Sequence, residues 1–265
     1  MDLPRTIPEL RSMKAQGVKI AALTAYDAGF AAAMEEAGLD LVLVGDSLGM
    51  VVQGHATTLP VTLDQMVYHT SCVRRGLKRA VLVADLPFMS YAAPGPALES
   101  AARLVREAGA QMVKLEGGRK RLEVVRALTE QDIPVCAHLG LLPQAVHRLG
   151  GYGVQGRDQA AARILLEEAQ LLQAAGAELL VLECVPAALA REVTAALHIP
   201  TIGIGAGPHC DGQVLVSYDM LGITPGKRPR FSKNFLETAG DIRAAFRQFV
   251  QEVRAGRFPG PEHSY

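Results

Sequence analysis

Eight short apolar runs recur along the chain, separated by amphipathic segments rich in Ala, Leu, Glu and Arg. Each run is an almost continuous hydrophobic stretch, which is typical of parallel strands covered on both faces. The segments between them show helical spacing of their apolar residues and often end near Gly. The eight runs are KIAALTAY (19–26), LDLVLVGD (39–46), RAVLVADLP (79–87), QMVKLEG (111–117), IPVCAHLG (133–140), ELLVLECV (178–185), IPTIGIGAG (199–207) and GQVLVSYD (212–219).

This alternation predicts an α/β fold, a (β/α)8 TIM barrel that forms one domain over residues 1–265. Eight strands with intervening helices, and no linker rich in Ser, Pro or Gly, favour a closed barrel over an open sheet. An open doubly wound sheet is the alternative, but no GxGxxG follows the first run. We expect an extra N-terminal helix in TIPELRSMKAQG (6–17) below the barrel, and a final helix in DIRAAFRQFVQEVRAG (241–256).

Charge and cysteine usage narrow the function classes. The 27 basic and 27 acidic residues balance, so no nucleic-acid or membrane partner is expected. The start, MDLPRTIPELRSMK, carries charges and prolines where a signal peptide needs an apolar run, and no stretch approaches the roughly 20 apolar residues of a membrane span. The four cysteines lie far apart without a CxxC pair, which argues against disulfides and a cysteine zinc site. We therefore predict a cytoplasmic protein.

Polar and charged residues fall inside or just after the apolar runs. In a barrel of this kind, chemistry takes place at the carboxyl ends of the strands. Burying a charge there without a partner costs several kcal/mol, in order-of-magnitude terms. Because these residues follow consecutive strands, we expect them to converge on one mouth of the barrel. They are Asp46, Ser47, Asp85, Lys114, Glu116, His138 and Glu183.

Asp46 and Asp85 follow adjacent strands, and Glu116 follows the next one. Like charges repel unless a metal ion or a proton lies between them. Oxygen ligands without a cysteine or an HExxH motif favour Mg²⁺ or a similar divalent cation. The alternative for either Asp alone is a helix N-cap, since both fall where a strand turns toward a helix.

The remaining candidates concern substrate and proton transfer. Lys114 and Glu116 share strand parity and are expected to point into the barrel, where Lys114 could hold a substrate carboxylate and an enolate; a Lys114–Glu116 ion pair is the alternative. His138 could donate to a substrate oxygen, or be a satisfied core residue. Glu183 lies in the apolar sequence LLVLECVP, which would raise its pKa toward the range of a general acid or base. Its alternative is capping of the helix after Pro186.

Other segments give weaker signals. The glycines of GIGAG (203–207) could bring backbone amides close to an anion, or simply end a strand. The polar stretches VQGHATTLP (52–60) and LGGYGVQGR (149–157) are expected to be loops over the mouth, where a lid is plausible. Cys136 and Cys184 are expected to point away from the barrel axis as packing residues.

The sequence closely resembles the ketopantoate hydroxymethyltransferase family in blocks that run nearly from end to end. The longest block, LVLVGDSLGMVVQGHATTLPVT, is specific enough to make chance negligible. The other blocks are LTAYD, ADLPFMSY, MVKLEGG, PVCAHLGLLPQ, GGYGVQGR, LLVLECVP, IGIGAG, DGQVLV, LGIT, KNF and PGPEHSY. The departures lie in surface helices and in GPHCD (207–211).

The resemblance implies a metal-dependent barrel of the phosphoenolpyruvate/pyruvate superfamily. Such an enzyme transfers the methylene of 5,10-methylenetetrahydrofolate to 3-methyl-2-oxobutanoate through a metal-bound enolate, giving 2-dehydropantoate for pantothenate and coenzyme A biosynthesis. The family's metal ligands fall on Asp46 and Asp85, with Glu116 close to the metal. Its keto-acid contacts fall on Asp46, Ser47, Asp85 and Lys114, with His138 beside the substrate, and its proton acceptor falls on Glu183. The resemblance also implies a homodecamer.

Two other functions compete with this one. A lyase or mutase of the same superfamily could act on another α-keto acid through the same enolate, but we find no cysteine-bearing loop of the kind that C–C or C–P cleavage would use. A catalytically inactive barrel that serves as an assembly module should have lost some of Asp46, Asp85, Lys114 and Glu183, and all four are present.

Overall fold

A computed structural model describes residues 4–224, 226 and 228–265 of the chain. Its strands are all parallel and follow one another in chain order around a closed barrel, in which the first strand pairs with both the second and the eighth. The predicted (β/α)8 barrel is therefore confirmed, with one strand in each apolar run. The strands are β1 Ile20–Thr24, β2 Leu41–Val44, β3 Val81–Asp85, β4 Met112–Glu116, β5 Val135–Gly140, β6 Leu179–Glu183, β7 Thr201–Ile204 and β8 Gly212–Leu215.

Helices connect the strands and surround the barrel. They are α1 Ile7–Ala15, α2 Ala28–Ala37, α3 Leu48–Val51, α4 Leu63–Gly76, α5 Pro94–Arg106, α6 Leu122–Thr129, α7 Val146–Leu149, α8 Gln159–Ala174, α9 Ala187–Ala196, α10 Ser217–Met220, α11 Leu236–Ala239 and α12 Ile242–Arg254. Short 3₁₀ helices cover Arg119–Arg121, Pro143–Ala145 and Pro261–His263. None of the helices in the described ranges is long and apolar enough to cross a membrane.

The interior of the barrel is a packed core and not a channel. A void of only about 10 Å³ remains on the axis below Lys114. Cys136 lines this void, so the expectation that it points outward is wrong. The reason is strand parity, since Cys136 lies two positions before the inward-facing His138. Seven aliphatic side chains complete the wall: Leu41, Leu43, Val83, Leu179, Val181, Ile202 and Val214.

Helix α1 lies at the amino ends of the strands, as predicted. Its N-terminus is fixed by a capping box, in which the Thr6 hydroxyl and the Glu9 carboxylate each accept a backbone N–H. Lys14 Nζ lies 2.8 Å from Asp211 Oδ2, immediately before β8, and Arg11 pairs with Glu178, immediately before β6. The opposite, carboxyl end of the barrel is therefore the open one. The final helix is also confirmed, as α12.

Candidate active site

Asp46 and Asp85 meet at the carboxyl ends of β2 and β3. Asp85 is the last residue of β3, while Asp46 lies in the turn between β2 and α3. The backbone N–H of Asp46 donates to Asp85 Oδ2 at 3.1 Å, and both side chains are buried. Neither aspartate caps a helix, because the N-cap residues of α3 and α5 are Ser47 and Ala93. The N-cap alternative is therefore wrong for both.

Lys114 lies between a carboxylate and an imidazole. Its Nζ is 2.9 Å from Asp85 Oδ1 and 3.3 Å from His138 Nδ1. Lys114 and Glu116 both point into the barrel, as predicted, but the ion pair is made with Asp85 and not with Glu116. Burial lowers the pKa of Lys114, but the charges of Asp85, Glu116 and Asp46 outweigh it, and the net pKa is raised. The side chain is therefore a permanent buried cation.

His138 connects Lys114 to Glu183. Its Nε2 lies 3.2 Å from Glu183 Oε2, on the side of the ring opposite Lys114. Burial and the Lys114 charge hold the pKa of His138 well below its usual range, so the ring is neutral. Because an ammonium group only donates, Nδ1 must accept from Lys114, which leaves the proton on Nε2 facing Glu183. His138 is therefore not merely a satisfied core residue.

Glu183 ends β6, and its side chain is only 15% exposed. It does not cap α9, whose N-cap is Pro186, so the capping alternative is wrong. Burial raises the pKa of Glu183 to about 7, against an opposing effect of the Lys114 charge. A carboxyl group with this pKa can accept and return a proton near neutral pH.

Negative charge exceeds positive charge in this buried mouth. Burial and the Asp85 charge raise the pKa of Asp46 to about 7. Burial and the Asp46 charge also raise the pKa of Glu116 well above its usual value. The charge of Lys114 opposes the increase in the pKa of both Asp46 and Glu116. The site therefore favours either protons or an additional cation.

The carboxylates offer an incomplete but suitable set of metal donors. No group of three or more His, Cys, Asp or Glu side chains in the described part of the chain is arranged to hold a metal ion. Asp46 and Asp85 nevertheless supply buried carboxylate oxygens on neighbouring strands, with an excess of negative charge around them. Mg²⁺ is commonly bound through one or two carboxylates and keeps several waters. The residues therefore fit a hard divalent cation.

Gln144, which the sequence analysis missed, ties the acidic residues together. Its Nε2 donates to Asp46 Oδ2 at 2.8 Å and to the Leu86 carbonyl at 3.0 Å, and its backbone N–H donates to Glu116 Oε2 at 3.0 Å. Its Oε1 accepts from the Tyr91 hydroxyl at 2.5 Å, and that hydroxyl accepts from the Glu116 N–H at 3.3 Å. Gln144 is the last residue of PVCAHLGLLPQ and Tyr91 is the last residue of ADLPFMSY, two of the blocks that carry the family resemblance.

Ser47 lies beside the acidic pair, and its hydroxyl is engaged by a neighbouring side chain. Ser47 Oγ is 2.9 Å from the Tyr26 hydroxyl, which is buried near the end of β1. A Cβ at Gly45 would lie 2.8 Å from Ser47 Oγ, so a side chain there would displace the Ser47 hydroxyl.

A cavity of about 680 Å³ opens next to these residues, with Glu116, Tyr91 and Gln144 in its wall. Leu59 belongs to the first predicted loop, and Leu149, Gln155 and Gly156 belong to the second, so both loops border the cavity. Closure by either loop stays a prediction. The glycines of 203–207 lie close to side chains, with Phe231 against Gly205 and Ala187 against Gly207.

Comparison with known protein families gives one consistent result. The sequence model of the family described as ketopantoate hydroxymethyltransferase matches residues 4–261. The 3-methyl-2-oxobutanoate hydroxymethyltransferase of Methylococcus capsulatus is 61% identical over 262 residues, covering 99% of this chain and 97% of the relative. The enzyme of the same name from Erwinia tasmaniensis is also 61% identical, over 99% of both chains.

Solved structures show the same fold at much lower identity. A putative phosphonomutase from Burkholderia cenocepacia superposes with a TM-score of 0.65 at 19% identity, covering 82% of this chain and 94% of the other. A 2,3-dimethylmalate lyase, described as a member of the PEP mutase/isocitrate lyase superfamily, gives a TM-score of 0.59 at 17% identity over 82% of each chain. At these identities the likeness concerns the fold alone.

Proposed function

Because the chain belongs to the ketopantoate hydroxymethyltransferase family, we propose that it moves a one-carbon unit from 5,10-methylenetetrahydrofolate to 3-methyl-2-oxobutanoate through an enolate of the keto acid. The observation that carries this proposal is the chain of contacts from Asp85 through Lys114 and His138 to Glu183. This chain of contacts supports two roles. Lys114 is a buried cation that can stabilise developing negative charge, and Glu183, on the other side of the His138 ring, is a carboxyl group that can take up the proton.

Lys114 holds the keto acid in this mechanism. Its ammonium group pairs with the substrate carboxylate and with the oxygen on which enolate charge develops, and these charge-assisted contacts strengthen in a site that excludes water. Asp85 and His138 fix the position of Nζ, so little reorganisation is needed when the substrate enters.

Glu183 accepts the hydrogen at C3 of the keto acid as a proton. His138 Nε2 lies 3.2 Å from Glu183 Oε2, close enough to position the carboxylate for this step. The C3 carbon then forms a bond to the donor methylene, both C–N bonds between this methylene and the carrier break, and water forms the C–O bond of the product hydroxyl. The two carrier nitrogens take up two protons, one from protonated Glu183 and one from the water, which restores the starting state.

Asp46 and Asp85, with Glu116 nearby, would hold a divalent cation such as Mg²⁺. When bound, such an ion polarises the keto group and so acidifies the neighbouring C–H bond. Gln144 orients Asp46 and Glu116 for this role.

Hydrogen exchange at C3 of the keto acid tests the proposal. In D₂O with Mg²⁺ and no folate, NMR should show loss of the C3 hydrogen in a protein-dependent reaction, and chelation of the metal should stop it. Product should form only after the methylene donor is added. Product formation without exchange at C3 would contradict the enolate.

Cytoplasmic location is part of the same proposal. All four cysteines are free, and three of them are buried. Free cysteines that form no disulfide suit a reducing compartment.

A further inference from the structure

The charged groups at the barrel mouth are covered in this structure. Asp46, Asp85, Lys114 and His138 lie at or near the carboxyl ends of their strands, yet each is at most 5% exposed. Their polar atoms would be in contact with water if the mouth were open, so another part of the chain lies over them. A keto acid can therefore reach Lys114 only when this cover moves.

The second predicted loop, 149–157, crosses the mouth. Near its end, the backbone N–H of Gln155 donates at 2.9 Å to the carbonyl of Cys184, in the turn that follows β6. Nearer its start, the Tyr152 hydroxyl lies 3.8 Å from Sδ of Met50, on the helix that follows β2. Strands β2 and β6 stand opposite each other in the eight-stranded ring. The loop therefore spans the mouth from one side to the other.

Tyr152 is the side chain of this loop that lies nearest to the acidic residues. Burial and the charges of Glu183, Asp46 and Glu116 raise the pKa of its hydroxyl, so the phenol stays neutral. These three carboxyl groups belong to β6, β2 and β4, and all of them act on one phenol because its ring lies over the mouth between them. Tyr152 is also 49% exposed, so the ring separates the site from bulk water.

Glycines give the tip of this loop freedom to move. Gly151 and Gly153 flank Tyr152, and no atom of the described part of the chain lies within 4 Å of a Cβ placed on either glycine. Gly151 also has a φ of 131°, which a residue with a side chain rarely adopts. In the first predicted loop, 52–60, Thr58 is buried instead. The part of the cover that can move is therefore the tip that carries Tyr152.

We propose that Tyr152 is the gate of the site: its ring moves aside to admit the keto acid and then covers the enolate against water. This assignment rests on the proposed function, because it concerns the enolate of that reaction. An enolate that meets water takes a proton from it at C3, and the hydroxide left behind removes the proton held by Glu183, which regenerates the keto acid. A shielded enolate instead persists until it attacks the methylene donor.

Isotope exchange during turnover tests the shielding. In D₂O with Mg²⁺, keto acid and methylene donor, NMR follows deuteration at C3 of the remaining keto acid and formation of product in the same sample. In Tyr152→Ala the ratio of exchange to product should rise about tenfold, because exchange continues while product formation falls. Tyr152→Phe keeps the ring and should keep the wild-type ratio. Equal loss of both rates in Tyr152→Ala, with an unchanged ratio, would overturn the proposal.

Tyr68→Ala is the matched control, because Tyr68 is an exposed tyrosine on the outer helix α4. It should leave the ratio of exchange to product unchanged. An equal rise in Tyr68→Ala and Tyr152→Ala would show that the effect does not depend on the position of the ring over the mouth, and would also overturn the proposal.

Hydrogen exchange of the backbone tests the movement without any turnover. The amides of 150–154 should exchange rapidly in the free protein and more slowly once Mg²⁺ and the keto acid are added together, whereas those of 52–60 should change little. Exchange in 150–154 that does not respond to these ligands would contradict the gate. Slower exchange there, in a wild-type protein that fails to exchange the C3 hydrogen, would support the gate and overturn only the proposed function.

Discussion

At the scale of single residues, the site depends on His138 staying neutral. Burial and the Lys114 charge both disfavour the imidazolium, so Nδ1 accepts from Lys114 Nζ while Nε2 faces Glu183. The His138 ring lies between Lys114 and Glu183, so it fixes their relative positions while the two side chains act on different parts of the substrate. Variants of the two residues should therefore affect different steps.

Lys114→Ala should weaken keto-acid binding and slow C3 exchange together, by about tenfold to a few hundredfold, because charge-assisted hydrogen bonds are worth roughly 1.5–3 kcal/mol.

Glu183→Gln keeps the shape of the side chain but removes the proton acceptor. It should leave keto-acid and Mg²⁺ affinity within a few-fold and reduce turnover by roughly 10²–10⁴. Titration of the keto acid and isotope exchange would be measured for both. Loss of keto-acid binding in Glu183→Gln, with normal turnover of the bound fraction, would make Glu183 a binding residue.

The pH dependence of C3 exchange should report the ionisation of Glu183. Its pKa is raised to about 7, so the carboxyl is protonated and inactive as a base at lower pH, and the exchange rate should rise as pH increases through about 7. Asp46 has a similar pKa, so the measurement is made at saturating Mg²⁺, which competes with the proton there. The residual exchange of Glu183→Gln should lack this rise. A rate independent of pH between about 6 and 8 in the wild type would argue against the assignment.

Gln144→Ala should weaken Mg²⁺ binding by roughly 10–100-fold, as the loss of a partner that orients metal-ligating groups usually does. It also leaves the Leu86 carbonyl and the Tyr91 hydroxyl without this buried partner, and should lower the free energy of unfolding by about 2–3 kcal/mol. Calorimetric titration and urea unfolding measure the two effects. Tyr91→Phe, which removes one of these hydrogen bonds, should show a smaller loss of both. Asp46→Asn should lose more metal affinity than either, and unchanged affinity in Asp46→Asn would remove Asp46 from the metal site.

At the scale of the elements, the apolar runs of the sequence predict the strands and the charged residues that lie within them. Eight runs gave eight strands, and a charge inside a buried run stood out clearly at Lys114 and Glu183. Gln144 and Tyr91 escape prediction because they are uncharged and lie outside the strands, Gln144 in the 3₁₀ helix Pro143–Ala145, so strand parity gives no direction for their side chains. Cys136 points into the barrel, against the prediction, because it has the same strand parity as His138. The sequence predicts which charged side chains meet at the site, because a buried charge needs a partner, but it does not predict neutral residues that position others through hydrogen bonds.

At Gly140, the ends of β5 and β6 approach each other closely beside the site. Its φ is +94°, and a Cβ there would press against the Glu183 carbonyl oxygen and lie 2.8 Å from Val185 Cγ1. Gly140→Ala should therefore separate the ends of β5 and β6. We expect a loss of about 2–4 kcal/mol in unfolding free energy, from backbone strain and overpacking, together with reduced turnover.

The control for this substitution is Gly150→Ala. Gly150 has a φ of +72° but no atom within 4 Å of its Cβ position, so only the backbone strain should remain, about 1 kcal/mol. Urea unfolding and C3 exchange would be measured for both. Equal losses in the two variants would show that the contact with Glu183 is unimportant.

At the scale of the whole molecule, we propose that the chain assembles into the homodecamer implied by its family. Large apolar side chains remain exposed on the single chain, among them Tyr68, Tyr152 and Ile223. Such surface is available for interfaces between copies. Light scattering at micromolar concentration should give a mass about ten times 28.2 kDa. A mass equal to one chain would contradict the decamer.

Closure of the barrel by β1 and β8 has a consequence for synthesis of the chain. β1 begins at Ile20 and pairs with Gly212, so the ring cannot close until almost the whole polypeptide has left the ribosome. Until then the growing sheet has two free edges, which are templates for pairing with other chains. A chain that ends after β7 should accordingly aggregate rather than persist as a smaller barrel. Binding of keto acid or Mg²⁺ cannot rescue such a chain by mass action, because the ligand stabilises only the closed ring.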